Sequence, residues 1–468
     1  MKKSNASVDN IYRLDGRVPV LKAIPFGLQH VLAMFVANVT PVMLIASVAQ
    51  YNGTAFSDID KTLLIQAAML IAGIGTLIQL FPIWKIGSRL PVVMGLSFTF
   101  LAPMIQLASQ DYGLLIGAVI VGGCIEGLLG LSAKYWRRFV SPVVSACVVI
   151  AIGFSLLATG VESFAGSVSD ELMGTWQNLT VASVTLISCL LFNSLAKGFW
   201  KQLYVLFGLA VGYALAVIFT LTGIAPNMVN FAGMSETVRT LGVVSVPRLF
   251  AFVPKFDLGA IISVTLVFLV SAAETIGDTT AVCQGGLGRD ITEKEISGSL
   301  ACDGFLSAVS GGIFGCPPIT SFSQNVGLVA MTKVVNRFTL MFGAVTLLLA
   351  GLFPPIGAFF STLPSPVLGG CTVIMFGAII VSGISMLAQC KMTQRNTLIV
   401  AISFCIGIGV TQYPSFFSHM PYIVGDIFCQ NPVAGVFVVS MLLSLLLPKD
   451  RELSEEHPAE EREEVPAK

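Results

Sequence analysis

Predominantly apolar stretches follow one another along almost the whole chain, each closed by a polar connection, and most have the roughly 17 to 25 residues that a helix needs to cross a bilayer core. The pattern predicts fourteen segments, at residues 22–46, 62–83, 91–108, 113–133, 139–159, 178–196, 203–222, 258–278, 296–315, 317–332, 338–360, 366–388, 396–412 and 431–448. Two of them differ from the rest. The third and the tenth are short, open on Pro91 or on Pro317 and Pro318, and are rich in Gly, Ser or Thr. Each is expected to be an interrupted segment, a short extended stretch leading into a half-helix. The unpaired backbone groups of such a stretch are tolerable only against protein or a cavity.

Positive charge tests the count independently, because cytoplasmic connections hold the Lys and Arg excess. The N-terminus, the even-numbered connections and the C-terminal tail contain 22 of the 26 basic residues, and the other side holds only Lys61, Arg239, Arg248 and Lys255. Fourteen spans with both termini cytoplasmic fit this alternation, whereas a miscount by one span scrambles it. Residues 1–21 are polar and lack the apolar core and cleavage site of a signal peptide, so they read as a cytoplasmic tail.

Composition agrees: 55% of residues are hydrophobic, 11% are charged and mean hydropathy is +0.85, which excludes a soluble globular domain. The formal net charge of zero gives no basic field for nucleic acid. The ten cysteines have no metal-type spacing and fall mostly in apolar segments, so they read as small buried hydrophobes rather than disulfides. Residues 449–468 are the one charge-rich run, expected to be a disordered cytoplasmic tail.

Two short matches share one offset. "SFT" at Ser97–Thr99 returns as "SFS" at Ser321–Ser323, and "SPVV" from Ser141 returns as "SPVL" from Ser365, each 224 residues later. Seven spans per half is an odd number, so two such halves enter the membrane with opposite orientation. Inverted repeats are a transporter architecture, with substrate bound near the midplane where interrupted helices meet. The fold expected is therefore an all-α polytopic membrane protein, fourteen transmembrane segments as a 7+7 inverted repeat.

With Lys and Arg placed outside the hydrocarbon, the acids inside it have no cationic side chain as partner. They are Glu126, Glu274, Asp278 and Asp303, with His30 and Asn38 in the first span. An ionisable group at the bilayer centre costs about 2.5 to 3.5 kcal/mol even on the lenient insertion scale. Such acids hold a proton, coordinate a cation or accept from a ligand's N–H groups. Glu274 and Asp278 stand four apart on one helical face, where two like charges resist joint ionisation. Asp278 lies near the end of its span, so reaching water or capping a helix is an equal alternative for it. Glu126 reads as a hydrogen-bonded structural acid, and His30 as a buried histidine satisfied by a neighbour. Most Phe residues read as lipid-facing or core. Phe98, between two hydroxyl residues at an interrupted segment, invites a stacking role.

Gln324 and Asn325 follow "PPITSFS" where the extended stretch turns into a half-helix. This sets their amides beside a midplane cavity. A Gln amide offers donor and acceptor side by side, the complement of a lactam or imide edge. Glu274 can accept from ring N–H groups while half-helix N–H groups donate to carbonyl oxygens. The chemistry points to a small planar polar ligand.

At these residues a family resemblance becomes specific. "QNVGLVAMTK", Gln324–Lys333, resembles the signature of the nucleobase–ascorbate transporter family, also called nucleobase:cation symporter-2. "ETIGD" from Glu274 resembles its eighth-segment motif, "GLQHVLAMF" from Gly27 its first-segment histidine motif, and "LACDGF" from Leu300 its ninth-segment aspartate. The resemblance covers all fourteen segments. It implies a core domain of segments 1–4 (22–133) and 8–11 (258–360), a gate domain of segments 5–7 (139–222) and 12–14 (366–448), and a homodimer packed through gate helices. It also implies substrate contact by Glu274, Gln324 and Phe98, with Ser97 and Ser323 beside them. Asp303, His30, Asp278 and Asn325 match positions tied to proton coupling and its network.

Where Gln324 stands, uracil-type relatives commonly have Glu and ascorbate-type relatives Pro, so Gln favours a purine, xanthine or urate. Bacterial xanthine transporters of this kind carry Asn where Ser97 stands here. A smaller side chain widens the pocket toward the C8 oxo group of urate, which ranks xanthine first and urate second. The expected protein is a proton-coupled importer in a bacterial cytoplasmic membrane, with sodium as the alternative coupling ion and no cofactor. A uracil symporter and an anion exchanger of similar 7+7 fold are the competing readings; the exchanger requires a cation near the third or tenth segment. A channel lacks its ring of filter residues. "TIGD" superficially matches an intramembrane aspartyl protease, but Thr275 occupies a glycine position of that element.

Overall fold

The computed structural model describes residues 7–136, 141–166, 172–420, 424–425, 428–429 and 431–448; the predicted tail from Lys449 lies outside them. In chain order the helices are α1 (Val20–Val48), α2 (Asp58–Leu80), α3 (Leu101–Gln110), α4 (Tyr112–Leu131), α5 (Ala133–Trp136), α6 (Pro142–Ser155), α7 (Leu157–Ala165), α8 (Trp176–Leu195), α9 (Tyr204–Leu221) and α10 (Phe231–Leu241). They continue as α11 (Leu258–Ala281), α12 (Glu293–Gly312), α13 (Ser323–Thr332), α14 (Arg337–Gly351), α15 (Pro354–Ser361), α16 (Ser365–Ala388), α17 (Gln394–Gln412) and α18 (Pro432–Leu446). A small hairpin, β1 (Gln50–Tyr51) with β2 (Thr54–Ala55), joins α1 to α2, and β3 (Met94–Leu96) pairs antiparallel with the distant β4 (Ile319–Ser321).

This is an all-helical polytopic membrane protein. Among the described residues nine helical stretches are long and apolar enough to cross a bilayer, or ten if α14 and α15, bent by 77° at their junction, form one span. Helical structure lies in all fourteen apolar segments, but not all reach that standard. α12 carries Glu293, Lys294, Glu295 and Asp303, α18 has 15 residues, and α3 and α13 have 10 each. Two breaks were not foreseen. The segment predicted at 139–159 divides into α6 and α7 at Leu156, and that at 338–360 breaks before Pro354 and Pro355, whose rings remove N–H donors. The connection between α9 and α11 also contains the helix α10.

Local chemistry sets many of the helix starts. Ser57 with Asp60 and Thr292 with Glu295 form capping boxes for α2 and α12. Asp111 accepts from Gly113 N–H at the start of α4 and Asn336 accepts from Thr339 N–H at the start of α14.

The helices pack in two groups. α4 lies on α12 and α11, and α14 lies on α1 and α2, whereas α16 packs on α6, α7 and α8, and α18 on α17. Glycine makes the closest of these contacts. A Cβ at Gly304 of α12 would sit 2.1 Å from the backbone N of Gly127 on α4, and one at Gly123 would sit 2.7 Å from the backbone of Ala308. Only bare backbones fit at that separation, as in small-residue seams of membrane helices.

β3 and β4 sit at the centre of the first group with every residue buried. Side chains from the surrounding helices satisfy the backbone that the pairing leaves free. Asn38 Oδ1 accepts from Leu96 N–H (2.8 Å), Thr76 Oγ1 accepts from Met94 N–H (3.0 Å), and Ser307 Oγ both donates to Ile319 C=O (2.8 Å) and accepts from its N–H (3.1 Å).

Gly304→Ala is expected to lower stability by about 1–3 kcal/mol, the usual cost of overpacking a close seam. A thermal-unfolding scan in detergent reads this as a lower midpoint with an unchanged oligomeric profile, and an unchanged midpoint refutes it.

Candidate functional site

The two unwound stretches deliver their hydroxyls to one carboxylate. Thr99, just after β3, donates through Oγ1 to Glu274 Oε2 (2.5 Å), and Ser323, at the start of α13, donates to Glu274 Oε1 (3.2 Å). Thr99 and Ser323 are 224 residues apart, the offset of the SFT and SFS triplets. Equivalent positions of the repeated sequence therefore hold the two oxygens of a single acid on α11.

The helical spacing of Glu274 and Asp278 brings the second acid to the same hydroxyls. Asp278 Oδ2 lies 2.9 Å from both Ser321 Oγ and Ser323 Oγ. Ser321 Oγ is also 3.2 Å from Thr275 Oγ1, which donates to Asp303 Oδ2 at 2.5 Å. The backbone N–H of Ser321 reaches the same Asp303 oxygen (3.3 Å). Glu274, Asp278 and Asp303 thus belong to one network through Ser323, Ser321 and Thr275. None of them, nor Glu126, forms an ion pair among the described residues.

The remaining predicted residues fall around this network. His30 Nδ1 is 2.5 Å from Asn325 Oδ1, joining the first span to the tenth segment, and Asn325 Nδ2 donates to Pro91 C=O (3.4 Å). Gln324 is exposed at the first turn of α13, beside Ser323. Phe98 is buried and meets Phe376 of α16 edge-on with centroids 5.6 Å apart; its ring thus bridges the two helix groups. Ser97 Oγ accepts from Thr99 N–H (3.2 Å), a turn-capping bond that fixes the backbone carrying Thr99.

Sequence reasoning missed Thr99, Thr275 and Ser321. The signal for Thr99 and Ser321 was the repeated triplet itself, which marked both interrupted segments without showing that their hydroxyls face α11. Glu126 departs from its predicted role. It is buried, and neither carboxyl oxygen has a hydrogen-bond partner among the described residues, so none of these residues supplies the hydrogen bond expected of a structural acid. A separate cleft of about 140 Å³, lined by Lys61 and Glu162 among others, borders none of these site residues.

A polytopic fold whose half-buried and buried acids are gripped by hydroxyls at two broken segments defines a membrane permease, not an enzyme. Residues 21–416 match the permease family represented by xanthine and uracil permeases. The chain belongs to that family, nucleobase:cation symporter-2. Xanthine permease XanQ of Escherichia coli strain K12 is 31% identical over 463 residues, 95% of each chain. The xanthine permease of Bacillus subtilis strain 168 is 33% identical over 426 residues, 90% of this chain and 93% of the relative. Among solved structures, the transmembrane domain of the cyanobacterial bicarbonate transporter BicA shares the fold at a TM-score of 0.52 and 12% identity, covering 91% of this chain and 98% of that one.

Thr99→Val removes a hydrogen bond to a carboxylate, an interaction of about 1.5–3 kcal/mol. Uptake of labelled nucleobase is expected to show a KM about tenfold or more higher, with unchanged protein in the membrane; an unaltered KM would separate Thr99 from the site.

Proposed function

We propose that the protein imports an oxidised purine base together with protons, xanthine first and urate second, across a bacterial cytoplasmic membrane with both termini on the cytoplasmic side. The observation that carries the reading is the grip of Thr99 and Ser323 on Glu274, next to an exposed Gln324. Glu274 accepts from ring N–H groups, and the Gln324 amide pairs with a lactam edge. Phe98 and Ser97 border the base. Relatives named xanthine permeases, aligned over nearly their full length, support the choice of purine.

Proton counting supports the coupling ion. Six close oxygen contacts link Glu274, Asp278, Asp303, Thr275, Ser321, Ser323 and Thr99, but the four hydroxyls supply only four protons. With all six as hydrogen bonds, two further protons reside on two different carboxyl groups, so Asp303 toward Thr275 or Glu274 toward Ser323 is the donor in at least one of these contacts. Asp303, Asp278, His30 and Asn325 form the coupling network in this reading. Sodium remains the alternative ion.

The architecture in this proposal is fourteen segments in two inverted halves. The pairing register supports it: Gly95 pairs with Thr320 and Leu96 with Ile319. At an offset of 224, Gly95 corresponds to Ile319 and Leu96 to Thr320. Each residue therefore faces the equivalent of its own neighbour, as a twofold axis between the two pairs requires. The division of packing partners supports a core of 22–133 and 258–360 moving against a gate of 139–222 and 366–448. A homodimer would form through gate helices. Against an anion exchanger, the network has no Lys or Arg bonded to it among the described residues.

Uptake of labelled xanthine, urate and uracil in mutual competition, with and without a protonophore, tests the specificity. Xanthine uptake that the protonophore abolishes and uracil does not compete is expected; dominance by uracil would refute the weight on Gln324. Glu274→Gln is expected to abolish uptake with normal membrane insertion, and full uptake would remove the acid from the mechanism.

A further inference from the structure

Behind the proposed site lies an acid that the network does not reach. Glu126, on α4, is 1% exposed, and Oε1 and Oε2 are both without a hydrogen-bond partner among the described residues. The seam that surrounds it is closed. Gly127 abuts the ring of Phe305, Gly123 abuts the backbone of α12, and a Cβ on Gly304 would meet the Glu126 carbonyl carbon at 2.7 Å. On α12, Asp303 keeps Oδ1 unpartnered, and on α11 the hydroxyls of Ser271 and Thr265 are likewise buried and unpartnered. Three carboxyl oxygens and two hydroxyls on α4, α11 and α12 are therefore buried without a hydrogen-bond partner among the described residues.

A bare carboxylate in such a place costs several kcal/mol. A carboxylic acid carries its own donor and removes most of that cost, provided an acceptor is near. The charged groups that act on Glu126 are Asp303 from α12 and Glu274 from α11, and α3, also packed on α4, carries no charged side chain. Of the two acids, Asp303 has a free oxygen; its other oxygen is taken by Thr275 and Ser321. Glu274 has both oxygens engaged.

We propose that Glu126 is a second proton-binding acid of the transport cycle, exchanging its proton with Oδ1 of Asp303. The O–H bond on Glu126 breaks as one forms on Asp303, so the charge of the pair is conserved while the proton passes from the α4 acid to the α12 acid that belongs to the Thr275–Ser321 network. A proton on Asp303 weakens its hold on Thr275 and Ser321, and through Ser321 and Ser323 alters what Glu274 offers to a base. The seam stores the coupling proton where substrate never enters. A sodium ion is disfavoured as the occupant because membrane sodium sites draw on carbonyls of unwound helix segments, and α4 is an unbroken helix here.

This proposal rests on the proton-coupled reading above, and one set of proteoliposome measurements separates their failures. Labelled xanthine is followed in unmodified protein, Glu126→Gln and Glu126→Asp, as counterflow exchange without a gradient and as net uptake driven by an inward pH gradient or an inward sodium gradient. The expected result is that the unmodified protein accumulates xanthine under the pH gradient, that Glu126→Gln loses this accumulation and its pH dependence while exchange persists, and that Glu126→Asp restores accumulation with a displaced pH midpoint. If the unmodified protein ignores the pH gradient, the parent reading fails. Should it respond and Glu126→Gln respond equally, Glu126 is no proton site. A response to sodium that Glu126→Gln abolishes would replace the proton with that ion and overturn the proposal. If Glu126→Gln does not yield folded protein, the midpoint of Glu126→Asp decides: displaced supports the proposal, unmoved overturns it.

Discussion

The structure depends on one backbone pairing of three residues against three. β3 and β4 are buried extended segments far from any regular sheet, each preceding a helix of 10 residues. An extended strand in a membrane domain exposes N–H and C=O groups that lipid cannot satisfy. Each strand solves the problem for the other, and Asn38, Thr76 and Ser307 take the groups left on the outer edges. Without the pairing, two segments would have to become continuous helices. Thr99 and Ser323 would then have no reason to converge. Gly95 shows how little room the arrangement leaves, since a Cβ there would lie 2.8 Å from Met34 and 2.9 Å from Asn38.

Hydropathy made the segments legible because a bilayer imposes a single length and polarity on anything that crosses it. The breaks at Pro91 and at Pro317–Pro318 were legible for a related reason, as proline and small polar residues have no other advantage at that depth. What the pattern concealed was direction. "SFT" and "SFS" marked both interrupted segments, yet which hydroxyl pointed at α11 depended on a strand register that no local pattern encodes. Thr99 and Ser321 were invisible for that reason, while Glu274 stood out as an unpaired acid. The turn at Pro354 and the break at Leu156 were hidden because apolar residues run through both, and hydropathy averages across a bend. Glu126 was misread through an assumption of satisfied burial that the seam between α4 and α12 does not meet.

Glycine and acid are two sides of one constraint in this fold. The α4–α12 seam brings backbones within reach because Gly123, Gly127 and Gly304 have no side chains to hold them apart. Helices this close keep Glu126 out of bulk solvent, at 1% exposure, and that burial makes the protonation of its carboxyl matter. A larger residue at Gly304 would loosen the seam and admit solvent, turning a costly group into an ordinary one. Packing thus fixes the electrostatic character of the seam, and the small residues belong to the polar network as much as the polar ones do.

The two halves of the proposed repeat differ in chemistry. Thr99 and Ser323 are equivalent hydroxyls, and both serve Glu274. Counting seven segments back from the eighth leads to the first, where α1 offers His30 and Asn38 rather than acids. Those two bind Asn325 and the backbone of Leu96, so they hold the broken segments in place. The hydrogen-bonded acids Glu274, Asp278 and Asp303 all stand on α11 and α12, so their polar focus lies on that side of the paired strands' hydroxyls. Because that focus is built from groups on both broken segments, any motion that separates β3 from β4 would also release Glu274. In the proposed transport cycle the half-helices and the carboxylate would travel as one body, and access to the site would come from a change in the packing of this body against α6, α9 and α18.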